Sequence, residues 1–362
     1  MRGILVRSVF WGYYSVIINT GFIAFIAYAL KQLFITYWTI EGKVLSIATT
    51  AGIALAHIST ICSIGTQLCK QDQFLNLVNR IIVLGRNIHH DIEVKKFADR
   101  QFLALFLSKI AMWVLLKCLE FRFLILANQF RNWESILYWT LISTASHVGA
   151  APLTLFYVSI LFVLRFYNIL NSELKLLVYR MKLVSESRQH NKMEHYCKLS
   201  DLLDAYISLF IDIHGVAVDA VKIFQFQNLV ILSKTYVNLV ARMYYIFLLA
   251  ETAQIADEYL YLSGIYSFFW FIDDLLSFFV VTLIKTETNK SGKYERVASE
   301  FLGVDERLQK NIEMLSFLLI LKRHDVKFCG MVDINRAFIL SIIFSAIFDF
   351  MLLIQFHRAT SK

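Results

Sequence analysis

The sequence predicts an all-α integral membrane protein with seven transmembrane helices, its N-terminus cytoplasmic and its C-terminus extracellular. Three observations predict it. Of the 362 residues 57% are hydrophobic and only 18% are charged, with a mean hydropathy of +0.57, whereas soluble chains carry about 25% charged residues. Even large soluble folds leave much of their surface to polar groups, so a water-soluble domain has nowhere to put that excess. The apolar residues are gathered into runs of about 18 or more, the length that crosses a ~30 Å hydrocarbon core as a helix. Basic residues are dense in alternate connecting segments and sparse in the others.

Taken in order, the runs cover 8–30, 44–66, 102–127, 136–164, 225–250, 259–284 and 331–356. The first follows Arg2 and Arg7 but is too long for the apolar core of a cleavable signal, so it reads as a retained span. Residues 1–164 then hold helices one to four, 225–284 helices five and six, and 331–356 helix seven, with a tail at 357–362. A single proline, Pro152 in the fourth run, and 13 glycines leave few helix breakers. Lys and Arg number 25 in segments 1–7, 67–101, 165–224 and 285–330, against 5 in 31–43, 128–135, 251–258 and 357–362. The positive-inside rule places the first set in the cytoplasm.

Two cytoplasmic segments exceed simple turns. In 165–224, Leu170, Leu174, Leu177, Met181 and Val184 recur at helical spacing with charges between them, which predicts amphipathic helices continuing below the bilayer. In 285–330 the run 312–321 is about ten residues long, too short to span and suited to a helix packed beneath the membrane. Its Leu315 and Leu318 are expected to face other copies of the chain.

Several function classes fall away. The net charge of +8 and pI near 9.1 would suggest nucleic acid in a soluble protein, but here basic loops follow from membrane topology, and no nucleic-acid partner is expected. Five cysteines without a CxxC pair form no disulfide framework; Cys62 and Cys118, in apolar runs, are expected to be buried thiols. The groups His89, His90, Asp91 and His190, His195 lack the i,i+4 histidine pair around a glutamate, so no metal or other cofactor is expected. No catalytic constellation or phosphate-binding glycine loop is present, and the chain is not expected to be an enzyme. A G-protein-coupled receptor would have the opposite orientation. A transporter or other non-channel membrane protein is the alternative, although the seven unequal runs offer no matching broken helices.

The stretch from Ser316 to Phe356 resembles the signature of the insect gustatory receptor family, the seven-span chemoreceptor channels related to insect olfactory receptors. Phe328, Cys329 and Gly330 match its leading element, and Asp333 falls where the family often carries an acid. Phe350 to Phe356 matches five apolar residues followed by Gln-Phe, while Phe348 and Asp349 stand where the family has Thr-Tyr. The resemblance implies a ligand-gated cation channel in the plasma membrane of sensory neurons, including dendrite, axon and cell body. It further implies a homo- or hetero-tetramer with other gustatory receptors, embedded in membrane lipid. The seventh helix would line the pore through Asp349, Leu352, Gln355 and Phe356, and the cytoplasmic helices would form an anchor region. A small-molecule tastant, with a lean to bitter compounds, would bind in the outer half of each bundle.

Within that frame the polar residues of the spans carry alternative readings. An acid inside an apolar helix is costly and marks an ion path or a polar partner: Asp349 either contributes to a ring of four carboxylates in the pore or faces a neighbouring basic residue within the bundle. Gln355, six residues on, is a gate residue or a hydrogen bond between subunits. Asp273 and Asp274 cannot both face lipid; one is expected in the ligand pocket, the other paired with Lys109, Lys117, Arg122 or Arg242. Lys117 and Glu120, at i,i+3, are placed to satisfy each other. Trp270, Tyr266, Tyr244, Tyr245 and His147 join Asp273 as ligand-pocket candidates, whereas Tyr138 and Trp139 suit the interfacial aromatic belt. The topology has a direct check: an epitope tag on Met1 should be stained only after permeabilisation and one on Lys362 without it, and a C-terminal tag hidden in intact cells would mean an even number of spans.

Overall fold

Helix length set against bilayer thickness organises the fold. In this computed structural model the described residues are 13, 16–17, 19–21, 23–24, 43–91, 96–126, 133–186, 192–252, 257–301, 305–321, 327–330 and 332–360. They form helices α1 (Lys43–Cys69), α2 (Gln71–Asp91), α3 (Lys96–Leu126), α4 (Trp133–Glu186), α5 (Lys192–Thr252), α6 (Asp257–Ala298), α7 (Glu306–Leu321) and α8 (Arg336–Thr360). A short hairpin, β1 (Lys327–Phe328) with β2 (Val332–Asp333), joins α7 to α8. The expected first span, 8–30, lies for the most part outside the described residues.

Helices α4 and α5 have 54 and 61 residues, about 80 and 90 Å at 1.5 Å per residue, far more than a ~30 Å hydrocarbon core needs. Four described stretches are long and apolar enough to cross a membrane: Asp99–Arg122, His147–Glu186, Gly264–Ala298 and Arg336–Ala359. They coincide with the expected third, fourth, sixth and seventh runs. Pro152 lies inside α4 without ending it.

The second half of α4 and the first half of α5, with α7 and the end of α6, build a core like that of a soluble bundle. Leu170, Leu174, Leu177 and Met181 of α4 are buried against α5 and α7 residues such as Phe210, Ile213, Leu308 and Ile312. Here α4 is locked to α6: Asn171 Nδ2 donates to the Glu287 carbonyl (2.9 Å) and carboxylate (3.1 Å), and Ser291 donates to Asn171 Oδ1 (2.5 Å). Asn171, Glu287 and Ser291 thus satisfy one another, which burial demands.

Within α7 the buried face is Leu308, Ile312, Leu315 (0% exposed) and Leu318 (9%), while Met314, Phe317, Ile320 and Leu321 stand 48–72% exposed. This corrects the expectation for Leu315 and Leu318: they belong to the core of their own chain, and the opposite stripe is the free one. Cys118 is likewise exposed and Cys62 half-buried; the apolar neighbours of Cys118 on α3, Trp113 and Phe121 among them, are outward-facing too, as suits a surface turned to lipid.

The hairpin explains the motif residues around it. Phe328 is fully buried, with ring centroids 5.7 Å from Phe156 and 5.9 Å from Phe278. Cys329 and Gly330 take positive φ of 52° and 71°, which glycine adopts freely and a cysteine rarely does. The Cys329 amide donates to Gln225 Oε1 at 3.2 Å, tying the turn to α5. Asp333 accepts from Asn335 Nδ2 at 3.4 Å, and Asn335 caps α8 by accepting the Phe338 amide at 2.8 Å.

Where α1 crosses α4 the backbones approach closely over small residues, the usual means of packing helices in lipid. Ser63 donates to the Gly149 carbonyl at 3.1 Å, and a Cβ on Gly149 would stand 2.8 Å from Thr60 Oγ1 and 3.2 Å from Ser59 Oγ. Gly149→Ala should therefore destabilise the chain by about 1–3 kcal/mol, read as a lower melting temperature in detergent. Adding Thr60→Ala, which removes the clashing atom, should recover much of the loss.

Candidate functional site

A charged residue at bilayer depth must be matched inside the protein, and the middles of α3, α5 and α6 show how this chain does it. Lys109 of α3, 6% exposed, pairs with the Asp273 carboxylate of α6 at 2.7 Å. Its ammonium also donates to Ser277 Oγ (3.2 Å) and lies 5.3 Å from the centre of the Tyr157 ring. Asp274, next along α6 and 2% exposed, accepts from the Thr235 hydroxyl of α5. The two adjacent acids thus point to different helices, since successive residues on a helix diverge by about 100°.

About one turn back along α6, Trp270 is the meeting point of three side chains. The Lys234 ammonium lies 5.6 Å from its ring centre, His147 of α4 packs at 5.6 Å, and Tyr266 at 6.4 Å edge-on. His147 Nε2 is 3.0 Å from Glu120 Oε2, which Lys117 also contacts at 3.0 Å. The result is an aromatic wall with donors and acceptors on both sides, the makings of a site for a small organic molecule.

Lys234, Thr235 and Tyr236 then carry the arrangement to α8. While Lys234 and Thr235 face α6, Tyr236 donates to the Asp349 carboxylate of α8 and lies 2.9 Å from Ser345 Oγ. Asp349 and Leu352 are half-buried on the side of α8 that meets the bundle, whereas Gln355 and Phe356 are exposed. Only 6% of the apolar window of α8 is buried, against 56% for α4. Phe344, Phe348 and Met351 extend the same free stripe as Gln355. Tyr244 is buried, with its hydroxyl 3.4 Å from His357 Nδ1. The side chains of Tyr138, Trp139, Arg242 and Tyr245 lie outside the described residues.

Of the residues singled out in the sequence, Asp273, Trp270, Tyr266 and His147 lie along one wall of the bundle. Tyr244 sits apart from them, against the end of α8. Sequence reasoning passed over Lys234, Thr235 and Tyr236. Lys234 carried a readable signal, a cation in an apolar run, but one tyrosine among 17 does not announce a bond to an acid 113 positions away.

Comparison with known proteins decides the family. Residues 2–360 match the profile of the 7tm chemosensory receptors. The chain belongs to that family. Gustatory receptor 10a of Drosophila melanogaster is 27% identical over 172 residues, covering 47% of this receptor and 42% of that one, so the match spans less than half of the relative's length. The fold is shared with the insect olfactory receptor OR5 from Machilis hrabei, at TM-score 0.63 over 96% of this receptor and 90% of that chain, with 11% identity. OR5 in complex with eugenol gives 0.60 over 92% and 87%, again with 11% identity. The resemblance in the C-terminal stretch is thereby met, and the family is one of receptors, not of enzymes.

The ion pair in this receptor makes a firm expectation. Asp273→Asn would leave the Lys109 ammonium buried without its counter-charge, a loss of about 3–5 kcal/mol, whereas the double change Lys109→Met with Asp273→Leu should melt near the parent temperature. Equal melting of the single and double variants would show that the pair is not buried as described.

Proposed function

We propose that this receptor is a gustatory receptor acting as a ligand-gated cation channel, with seven spans, a cytoplasmic N-terminus and an extracellular C-terminus. Four chains would assemble around α8 in the plasma membrane of chemosensory neurons. The observation that carries the reading is the unbroken run of contacts from Trp270 and Asp274 through Lys234, Thr235 and Tyr236 to Asp349. It joins an aromatic-lined wall to α8, an apolar helix whose surface is left almost uncovered. A tastant at Trp270 would bias the α5–α8 contact and so the pore, a shift between two populations.

The free stripe of α8 supports a place at the fourfold axis, with Gln355 and Phe356 toward its outer end. For Asp349, the bond from Tyr236 supports a position against the bundle, with a tyrosine as partner in place of the expected base. The exposed apolar stripe of α7, Met314 with Phe317, Ile320 and Leu321, supports assembly through the cytoplasmic anchor, since water leaves such a stripe unsatisfied. OR5 was solved with eugenol, and a small, largely apolar organic ligand fits the neutral balance here of Lys109, Lys117 and Lys234 against Glu120, Asp273 and Asp274. Bitter compounds are the class we favour.

Patch-clamp recording during a tastant screen, in cells without receptors of their own, tests the proposal. Trp270→Ala should raise half-activating concentrations by about tenfold or more, one lost aromatic contact of about 1.4 kcal/mol, and leave permeability ratios alone. Asp349→Asn and Tyr236→Phe should shift gating by similar, non-additive amounts. A fall in unitary conductance with Asp349→Asn alone would instead place the carboxylate in the pore, and silence of the chain under every ligand would count against the channel.

A further inference from the structure

Helix α1 carries a buried polar side chain that none of the contacts above uses. His57 is 3% exposed, and neither of its ring nitrogens has a hydrogen-bond partner among the described residues. The neutral ring carries one N–H donor and one lone pair. Leaving both unmet in the interior is costly, so a group at this position has something to bind.

Two helix crossings place the ring beside the aromatic wall. Helices α1 and α5 run antiparallel. Lys70, just past the end of α1, donates to the Lys222 and Ile223 carbonyls at 3.0 and 3.1 Å, and Gln227 Nε2 donates to the Ser63 carbonyl at 3.2 Å. About two turns on, His57 comes level with Lys234 and stands within its electrostatic reach. The Lys234 ammonium in turn lies 5.6 Å from the centre of the Trp270 ring. Ser59 and Thr60 of α1 also approach Gly149 of α4, about half a turn from His147, which packs on Trp270 at 5.6 Å. Lys234 and Asp274 bring one charge of each sign to this part of the bundle, which favours neither a cationic nor an anionic ligand.

We propose that His57 sets the chemical class of the ligand: a neutral aromatic molecule whose ring lies against Trp270 and whose hydroxyl group bonds the imidazole. The inference deepens the ligand site read above and rests on it. An indole face takes an aromatic ring in stacked or edge-on packing. A hydroxyl both donates and accepts, so it satisfies either ring nitrogen in either tautomer. An ether oxygen only accepts, and a hydrocarbon does neither. A site built to bond a hydroxyl discriminates against the analogue that lacks it, because its own polar group is then left unpaired.

The probes are para-cresol, its methyl ether and para-xylene, which differ in one group. Affinity is read from the concentration dependence of the melting temperature of the receptor in nanodiscs. The parent should bind para-cresol about tenfold more tightly than para-xylene, the reach of a hydrogen bond to a buried polar group, with the ether between them. Equal affinity for cresol and xylene, absent binding included, overturns the proposal and leaves water as the partner of His57; that comparison needs no variant. In His57→Leu, cresol should fall to the affinity of xylene, and xylene should change less than about twofold. The variant itself should melt no lower than the parent, because an unpaired polar group has been replaced by an apolar one. His57→Gln, which keeps a donor and an acceptor, should retain most of the preference. A preference that survives in His57→Leu overturns the role of His57 alone. Trp270→Ala should weaken cresol and xylene alike, and if it weakens neither, the site at Trp270 falls and this inference with it. A His57-dependent preference in a chain that passes no ligand-evoked current leaves the inference standing and removes the channel.

Discussion

The charge on Lys109 has to be met inside the protein, and much of the architecture around it follows from that requirement. At that depth there is no water to accept its hydrogens, so Asp273, Ser277 and the face of Tyr157 close around it. That choice orients α6. With Asp273 turned to α3, Asp274 must turn elsewhere, and it finds Thr235 on α5. A buried ion pair is poor evidence of added stability, because desolvation consumes most of the attraction. Its stronger effect is on specificity: the rotation and height of α3, α5 and α6 are fixed by partners that apolar packing alone would not distinguish.

Much of this frame was legible in the sequence, for physical reasons that also mark where legibility stops. Spans announce themselves because crossing a bilayer takes a minimum apolar length. The stripe Leu170, Leu174, Leu177 and Met181 was readable because charges between those residues leave one face for the core. The same logic failed on α7, which is apolar on both sides. Period alone does not say that Leu315 faces its own chain and Phe317 does not, since both positions repeat helically. The Phe328, Cys329, Gly330 element was recognisable as a pattern, but its reason is tertiary: a phenylalanine driven between Phe156 and Phe278, and a turn whose backbone needs positive φ.

Pairing partners were the least legible feature. Four bases stood as candidates for the Asp273 and Asp274 pair, and nothing local separates Lys109 from the others. Lys117 and Glu120 were foreseeable because i,i+3 neighbours touch by helix geometry, yet the arrival of His147 on the same carboxylate depends on how α4 lies against α3. Tyr236 illustrates the limit most clearly. Its partner lies on a helix that begins 100 residues later, and a tyrosine in an apolar run packs in most cases through its ring.

The two ends of the α5–α8 contact then divide the work. At one, the Asp349 carboxylate accepts from Tyr236, whose hydroxyl also meets Ser345, and loss of a partner on an apolar helix strands a polar group in a medium that cannot solvate it. The other contact sets the Tyr244 hydroxyl 3.4 Å from the His357 imidazole in the final turn, with ring packing that Phe247 shares. Gln355 and Phe356 are exposed near the end of α8, and in the channel proposed above a change in the α5–α8 contact would act on the helix that carries them.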